Sequence, residues 1–109
     1  MGKFIDHIEG DFPSDIQYYS NGNPFIQRWY KTGGLHREGD LPAEIFYYQN
    51  GQPEKEKWFK NNTKYREGGL PDDIKYYENG QLQKVKWHKR SKGYQYDVIY
   101  YDKNGKIIN

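Results

Sequence analysis

A chain of 109 residues is the size of one domain, and with no cysteine it has neither a disulfide framework nor a thiolate metal site. With 18% aromatic residues it is too rich in Tyr and Trp to be disordered, and with 34% hydrophobic residues it is too poor in aliphatics for a thick two-layer core. The net charge of +2 singles out no partner, yet residues 1–54 hold four basic and eight acidic groups (a balance of −4) and residues 55–109 hold thirteen and seven (+6).

Met1 to Gly10 has no apolar run of the kind a signal peptide needs, and no segment approaches the length of a membrane span. The expectation is a soluble, cytoplasmic protein. From about residue 11 the chain repeats itself every 29 residues. Pro13, Tyr18-Tyr19, Asn21-Gly22 and Trp29 open the pattern over 11–39. Pro42, Tyr47-Tyr48, Asn50-Gly51 and Trp58 repeat it over 40–68, and Pro71, Tyr76-Tyr77, Asn79-Gly80 and Trp87 over 69–96. Residues 97–109 carry Tyr100-Tyr101 and Asn104-Gly105 as a partial terminal copy, with one extra residue before the asparagine. Terminal repeats are often atypical because they cap the stack.

Each copy reads as two strands around Asn-Gly, a strong signal for a type I′ hairpin turn. With Asn50-Gly51 central, Tyr48 faces Pro53, Tyr47 faces Glu54, Phe46 faces Lys55, Ile45 faces Glu56 and Glu44 faces Lys57. The same rule sets Asp15 against Arg28 and Asp73 against Lys86, so every copy has an acid opposite a base at one rung. Alternation then sorts the faces. Ile16, Tyr18, Phe25 and Trp29, and later Ile74, Tyr76, Val85 and Trp87, form the face expected to be buried. Tyr19, Tyr48 and Tyr77 lie with Arg28, Lys55, Lys57, Lys84 and Lys86 on the wet one. The predicted fold is all-β: an antiparallel meander of tandem β-hairpin repeats, as an open sheet of about eight to ten strands.

Tyr-Tyr-x-Asn-Gly, followed by Trp-Tyr/Phe-Lys and then by Leu35-His36-Arg37-Glu38-Gly39-Asp40-Leu41-Pro42-Ala43, resembles the MORN-variant repeats of bacterial, phage and giant-virus proteins. The resemblance spans about residues 11–105 and weakens in the third copy, where Tyr94 to Asp97 lacks the His-Arg-Glu-Gly-Asp stretch. It implies stacked hairpins and a role in binding protein or lipid. Some bacterial members are labelled antitoxins. It transfers no catalytic residue.

The residues themselves point the same way. His7, His36 and His88 sit at unrelated repeat positions, and no phosphate loop or nucleophile elbow occurs, so neither a metal, a cofactor nor an enzyme activity is expected. The leading reading is a non-catalytic protein–protein interaction module, antitoxin-like or a host-directed inhibitor. Its candidate surface is the tyrosine ladder Tyr19, Tyr48, Tyr77 and Tyr101, with Glu54 and Glu56 as a polar groove for a basic group or as solvated positions of a thin sheet. Cross-strand packing alone also accounts for the tyrosines. A second reading is a nucleic-acid or acidic-lipid binder using Lys84, Lys86, Lys89, Arg90 and Lys92, although Lys84 and Lys86 also alternate with Val85 and Trp87 as an ordinary strand would. A third is a structural assembly unit. Two open sheet edges and the apolar Ile107-Ile108 favour a homodimer or weak oligomer, although Lys103 and Lys106 oppose edge pairing.

Overall fold

The computed structural model describes residues 11–88 and 96–108. Among them are twelve strands and no helix: β1 (Asp15–Tyr18), β2 (Pro24–Arg28), β3 (Tyr30–Lys31), β4 (Gly34–Leu35), β5 (Glu44–Tyr47), β6 (Pro53–Lys57), β7 (Phe59–Lys60), β8 (Thr63–Lys64), β9 (Asp73–Tyr76), β10 (Leu82–His88), β11 (Tyr96–Tyr101) and β12 (Ile107–Ile108). Eight form one antiparallel sheet in the order β1-β2-β5-β6-β9-β10-β11-β12. β3-β4 and β7-β8 are separate two-stranded hairpins. The fold is thus the open meander that the repeat spacing predicts. No helix among the described residues is long and apolar enough to cross a membrane.

The turns differ from expectation, and with them the two rungs nearest each turn: Tyr48 meets Gln52 rather than Pro53, and Tyr47 meets Pro53 rather than Glu54, while the outer rungs are those expected. At Asn50-Gly51 the Gly51 N–H donates to the Tyr48 carbonyl, and the Tyr48 N–H donates to the Gln52 carbonyl. Only Gly51 has positive φ, at 91°. A type I′ turn needs positive φ at both central residues; this is a type I turn over Gln49-Asn50 followed by a left-handed glycine. Asn50 serves differently: its Oδ1 accepts the Gln52 N–H at 2.9 Å. The three-residue loop alone would shift the pairing by one, and a bulge between Tyr47 and Phe46 on the facing rungs restores it. Tyr47 pairs with Pro53, but Phe46 pairs with Lys55, Ile45 with Glu56 and Glu44 with Lys57. Asp15 likewise meets Arg28, and Asp73 meets Lys86. Two-residue loops with both φ positive do occur, at Thr32-Gly33 and Asn61-Asn62, closing the small hairpins β3-β4 and β7-β8.

One sheet face carries the core. Ile16, Gln27, Ile45, Glu56, Ile74, Val85 and Ile99 stand side by side on successive strands. Trp58, Ile74 and Val85 are its buried centre, with Tyr76, Leu82, Trp87, Ile99 and Tyr101 packed around them. The face expected for the third copy is therefore the observed one. In the first copy it holds for Ile16 and for the buried Trp29 but not for Tyr18, 60% exposed, or Phe25, 37% exposed. Phe25 is the extra residue of its bulge, which turns it towards Tyr19, ring centroids 5.0 Å apart.

The small hairpins bring arginines over the tryptophans. The Arg37 guanidinium lies 3.6 Å from the Trp29 ring centre and that of Arg66 3.9 Å from Trp58. Each also donates to a carbonyl, Pro42 or Pro71, at 3.0 Å, and to the aspartate at the start of its own copy, Asp11 at 2.9 Å or Asp40 at 2.8 Å. This is the structural meaning of the His-Arg-Glu-Gly-Asp stretch. The tip of the second hairpin rests on the first: the Asn62 N–H donates to the Leu35 carbonyl at 2.8 Å, and the Asn61 N–H to His36 Nδ1 at 3.0 Å.

Candidate functional site

The face opposite the core is charged, in two rows. The first runs Asp15, Arg28, Glu44, Lys57, Asp73, Lys86 across six strands, alternating in sign. The rungs are those expected, but the ion partners are not. Glu44 bonds Arg28 at 2.7 Å rather than Lys57, because the Arg28 fork sits between two carboxylates and also reaches Asp15 at 3.5 Å. Asp73 is held by Lys64 of β8 at 2.6 Å rather than by Lys86. Lys57 and Lys86 are thereby left without a carboxylate within 4 Å among the described residues, and they lie over aromatic rings, Lys57 5.7 Å from Phe46 and Lys86 4.5 Å from Tyr96.

The second row runs Gln17, Ile26, Phe46, Lys55, Lys75, Lys84, Tyr100, apolar at the buried Ile26 and at Phe46 before the lysines begin. Here three lysines occupy successive rungs, each opposite the next, with no acid between them. Like charges directly opposite destabilise a strand pair. Burial pushes Lys84 below the ordinary lysine value, and the positive charges of Lys86, Lys75 and Lys55 press the same way against the pull of Asp73. Of the five cations in the C-terminal basic patch, Lys84 and Lys86 lie on this face; Lys89, Arg90 and Lys92 fall outside the described residues. The meeting of Lys75 with Lys55 escapes a reading of single hairpins. Lys75 faces Lys84 within one hairpin, and the two join Lys55 only through the pairing of β6 with β9, which lies between copies, where no Asn-Gly turn dictates the register.

The tyrosine ladder has a structural use within the fold. The hydroxyls of Tyr19, Tyr48 and Tyr77 donate to the carbonyls of Tyr47, Tyr76 and Tyr101 at 2.6, 2.6 and 2.8 Å. Each bridges its copy to the next, so these polar groups are committed inside the fold. Tyr101 is not the fourth rung. The Asp102 N–H bonds the Lys106 carbonyl as the Tyr77 N–H bonds that of Gln81, so the extra residue puts Asp102 in the ladder position. Its Oδ1 accepts the N–H groups of Asn104 and Lys106 at 2.9 and 3.0 Å, closing its own turn.

Glu54 and Glu56 do not line one groove. Glu56 stays on the core face, where the Tyr76 hydroxyl donates to its Oε1 at 2.7 Å. Gln27 is satisfied in the same manner by Tyr47 at 2.8 Å, and the third copy has the buried Val85 in that place. Glu54 is the extra residue of its bulge, like Phe25, and stands near Tyr48. Burial raises the Tyr47, Tyr48 and Tyr76 hydroxyls above the ordinary tyrosine value. Glu56 adds to the rise at Tyr47 and Tyr76, and Glu54 to that at Tyr48. A hydroxyl whose value is raised on folding contributes stability that is whole below the unfolded tyrosine value, about 10, and falls as pH climbs beyond it. The urea midpoint is therefore expected to drop between about pH 8 and about pH 11; a constant midpoint would contradict this placement of the hydroxyls.

His36 and His88 serve structure. His36 is buried, accepts the Asn61 N–H on Nδ1 and meets Glu38 through Nε2 at 2.6 Å. His88 Nδ1 meets the buried Asp72 at 2.7 Å and ties the end of β10 to the strand beside it. His7 lies outside the described residues. No group of three or more His, Asp or Glu able to hold a metal occurs among the described residues.

No protein-family model, no curated protein and no solved structure matches the chain.

Proposed function

We propose that this chain is a non-catalytic protein-binding module that takes an acidic partner on its lysine-bearing face. The observation that carries this reading is the row Lys55, Lys75, Lys84, set rung against rung without an intervening carboxylate. Such a row costs stability in the free protein and is relieved by negative charge supplied from outside. Phe46 and Tyr100 at its two ends supply apolar area beside the charge. Masking an acidic protein in the cytoplasm by covering it is the inhibitor-like form of this role. The nucleic-acid and acidic-lipid readings use the same lysines, but the neighbouring row carries Asp15, Glu44 and Asp73, and the whole chain is only +2. A polyanion laid over this face meets those carboxylates; a partner with a narrow acidic strip does not.

Lys75→Glu tests the reading through two effects of opposite sign. It converts the row to alternating charge, which is expected to stabilise the free protein by about 0.2–1 kcal/mol. The same change is expected to abolish the salt-sensitive retention of host proteins on the immobilised chain. A variant that retains the same proteins as the wild type at low and physiological salt would sink the reading.

A further inference from the structure

We propose that the occupant of this face is an acidic α-helical segment of the partner, laid across the strands with carboxylates at i, i+3 and i+7 against Lys55, Lys75 and Lys84. This rests on the protein-binding reading above and specifies its partner. The argument is one of spacing. Lys55 pairs with Lys75 and Lys75 with Lys84, so the three ammonium stems are spaced by the distance between neighbouring strands. Along the row their origins fall at 0, roughly 4.8 and roughly 9.6 Å. A helix rises about 1.5 Å per residue, which puts i, i+3 and i+7 at 0, about 4.5 and about 10.5 Å along its axis and on one side of it. The mismatch is under about 1 Å at each position, well within the reach of a lysine stem. An extended strand fits poorly, because its same-face residues recur at roughly 6.6–6.8 Å.

The ends of the row extend the match. Phe46 precedes Lys55 by one strand and Tyr100, 48% exposed, follows Lys84 by one strand. A helix one turn longer at each end meets an aromatic ring at both, so the fitting sequence is apolar, acid, acid, acid, apolar at intervals of three or four residues. Lys57 and Lys86 in the next row are without a carboxylate partner among the described residues as well, but Glu44 and Asp73 stand among them, so only the Lys55-Lys75-Lys84 row offers positive charge with no acid in line. A helix matches such a row; a flexible acidic tail spreads its charge over Glu44 and Asp73 in the next row as well.

The test uses the full chain and four synthetic probes read by fluorescence anisotropy at low and physiological salt. The first probe is a stapled helix with Glu at i, i+3 and i+7 and Leu one turn outside each end. The second has the same composition with two prolines, which prevent the helix. The third is a stapled helix with the glutamates dispersed around its circumference. The fourth is a single-stranded oligonucleotide of equal charge. The first is expected to bind at least roughly tenfold more tightly than each of the others, and to lose at least that factor with Lys75→Glu but not with the distant Lys106→Glu. Thermal melts of both variants check that they are folded. Equal binding of the proline probe or the dispersed helix would overturn the helical occupant and leave the acidic-protein reading standing. Failure of all peptides to bind, with Lys75→Glu still losing its captured host proteins, would do the same. Tightest binding of the oligonucleotide would overturn both.

Discussion

Trp58→Ala is expected to lower the unfolding free energy by about 3–5 kcal/mol, the range for removing a large buried aromatic ring. Trp58 is 6% exposed and centres the cluster with Ile74 and Val85. Its ring is also the plate on which the Arg66 guanidinium stacks, while that fork holds Asp40 and the Pro71 carbonyl. The substitution therefore leaves a cavity and unseats the hairpin β7-β8 together. In a domain whose whole stability is on the order of 5–15 kcal/mol, the variant is marginal. Trp87→Ala, at the same place in the third copy, is expected to cost less, because Trp87 is only partly buried and no arginine-bearing hairpin is described over it, although its Nε1–H bond to the Gly69 carbonyl at 2.8 Å is also lost. Urea unfolding followed by circular dichroism measures both; a cost below about 1 kcal/mol for Trp58→Ala would remove it from the centre of the core.

The second large effect is a coupling. Tyr76→Phe deletes the hydroxyl that bonds Glu56 and leaves a carboxylate on the apolar row, at a cost of about 1–3 kcal/mol. Glu56→Val copies what the third copy already has, the buried Val85. Combined, the two changes remove both polar partners, so the double variant is expected to be as stable as the wild type or more so. The four proteins form a double-mutant cycle. Additive costs, with the double variant the least stable of the four, would mean that Glu56 is solvated and that Tyr76 contributes by packing alone.

The repeat, its strand order and its register away from the turns are legible in the sequence because every copy states them again. Four landmarks at a spacing of 29 leave one topology, and the rungs Asp15–Arg28, Glu44–Lys57 and Asp73–Lys86 follow from symmetry of the hairpin. The turn type was not legible, because Asn-Gly suits two loops: both residues left-handed, or an Asn accepting from two residues on followed by a left-handed Gly. Only the second fits Gly51 alone at positive φ. Ion partners were not legible either. A rung fixes which Cβ atoms face each other, but Arg28 and Lys64 reach past their own rung to Glu44 and Asp73. The lysine row was half legible: Lys55 and Lys84 fall on the wet face by alternation, but their meeting through Lys75 needs the pairing between copies.

The hydroxyl bridge from Tyr19, Tyr48 and Tyr77 into the following copy stops at Asp102, whose carboxylate turns back on its own loop. Growth of this architecture by gene duplication is consequently directional. A second copy of residues 40–68 inserted between the existing ones brings both a donor tyrosine and an acceptor carbonyl, and widens the sheet by two strands, roughly 10 Å. A copy placed instead beside β12 would find an occupied aspartate where it needs a tyrosine. Sheets of this kind should lengthen from within, two strands at a time.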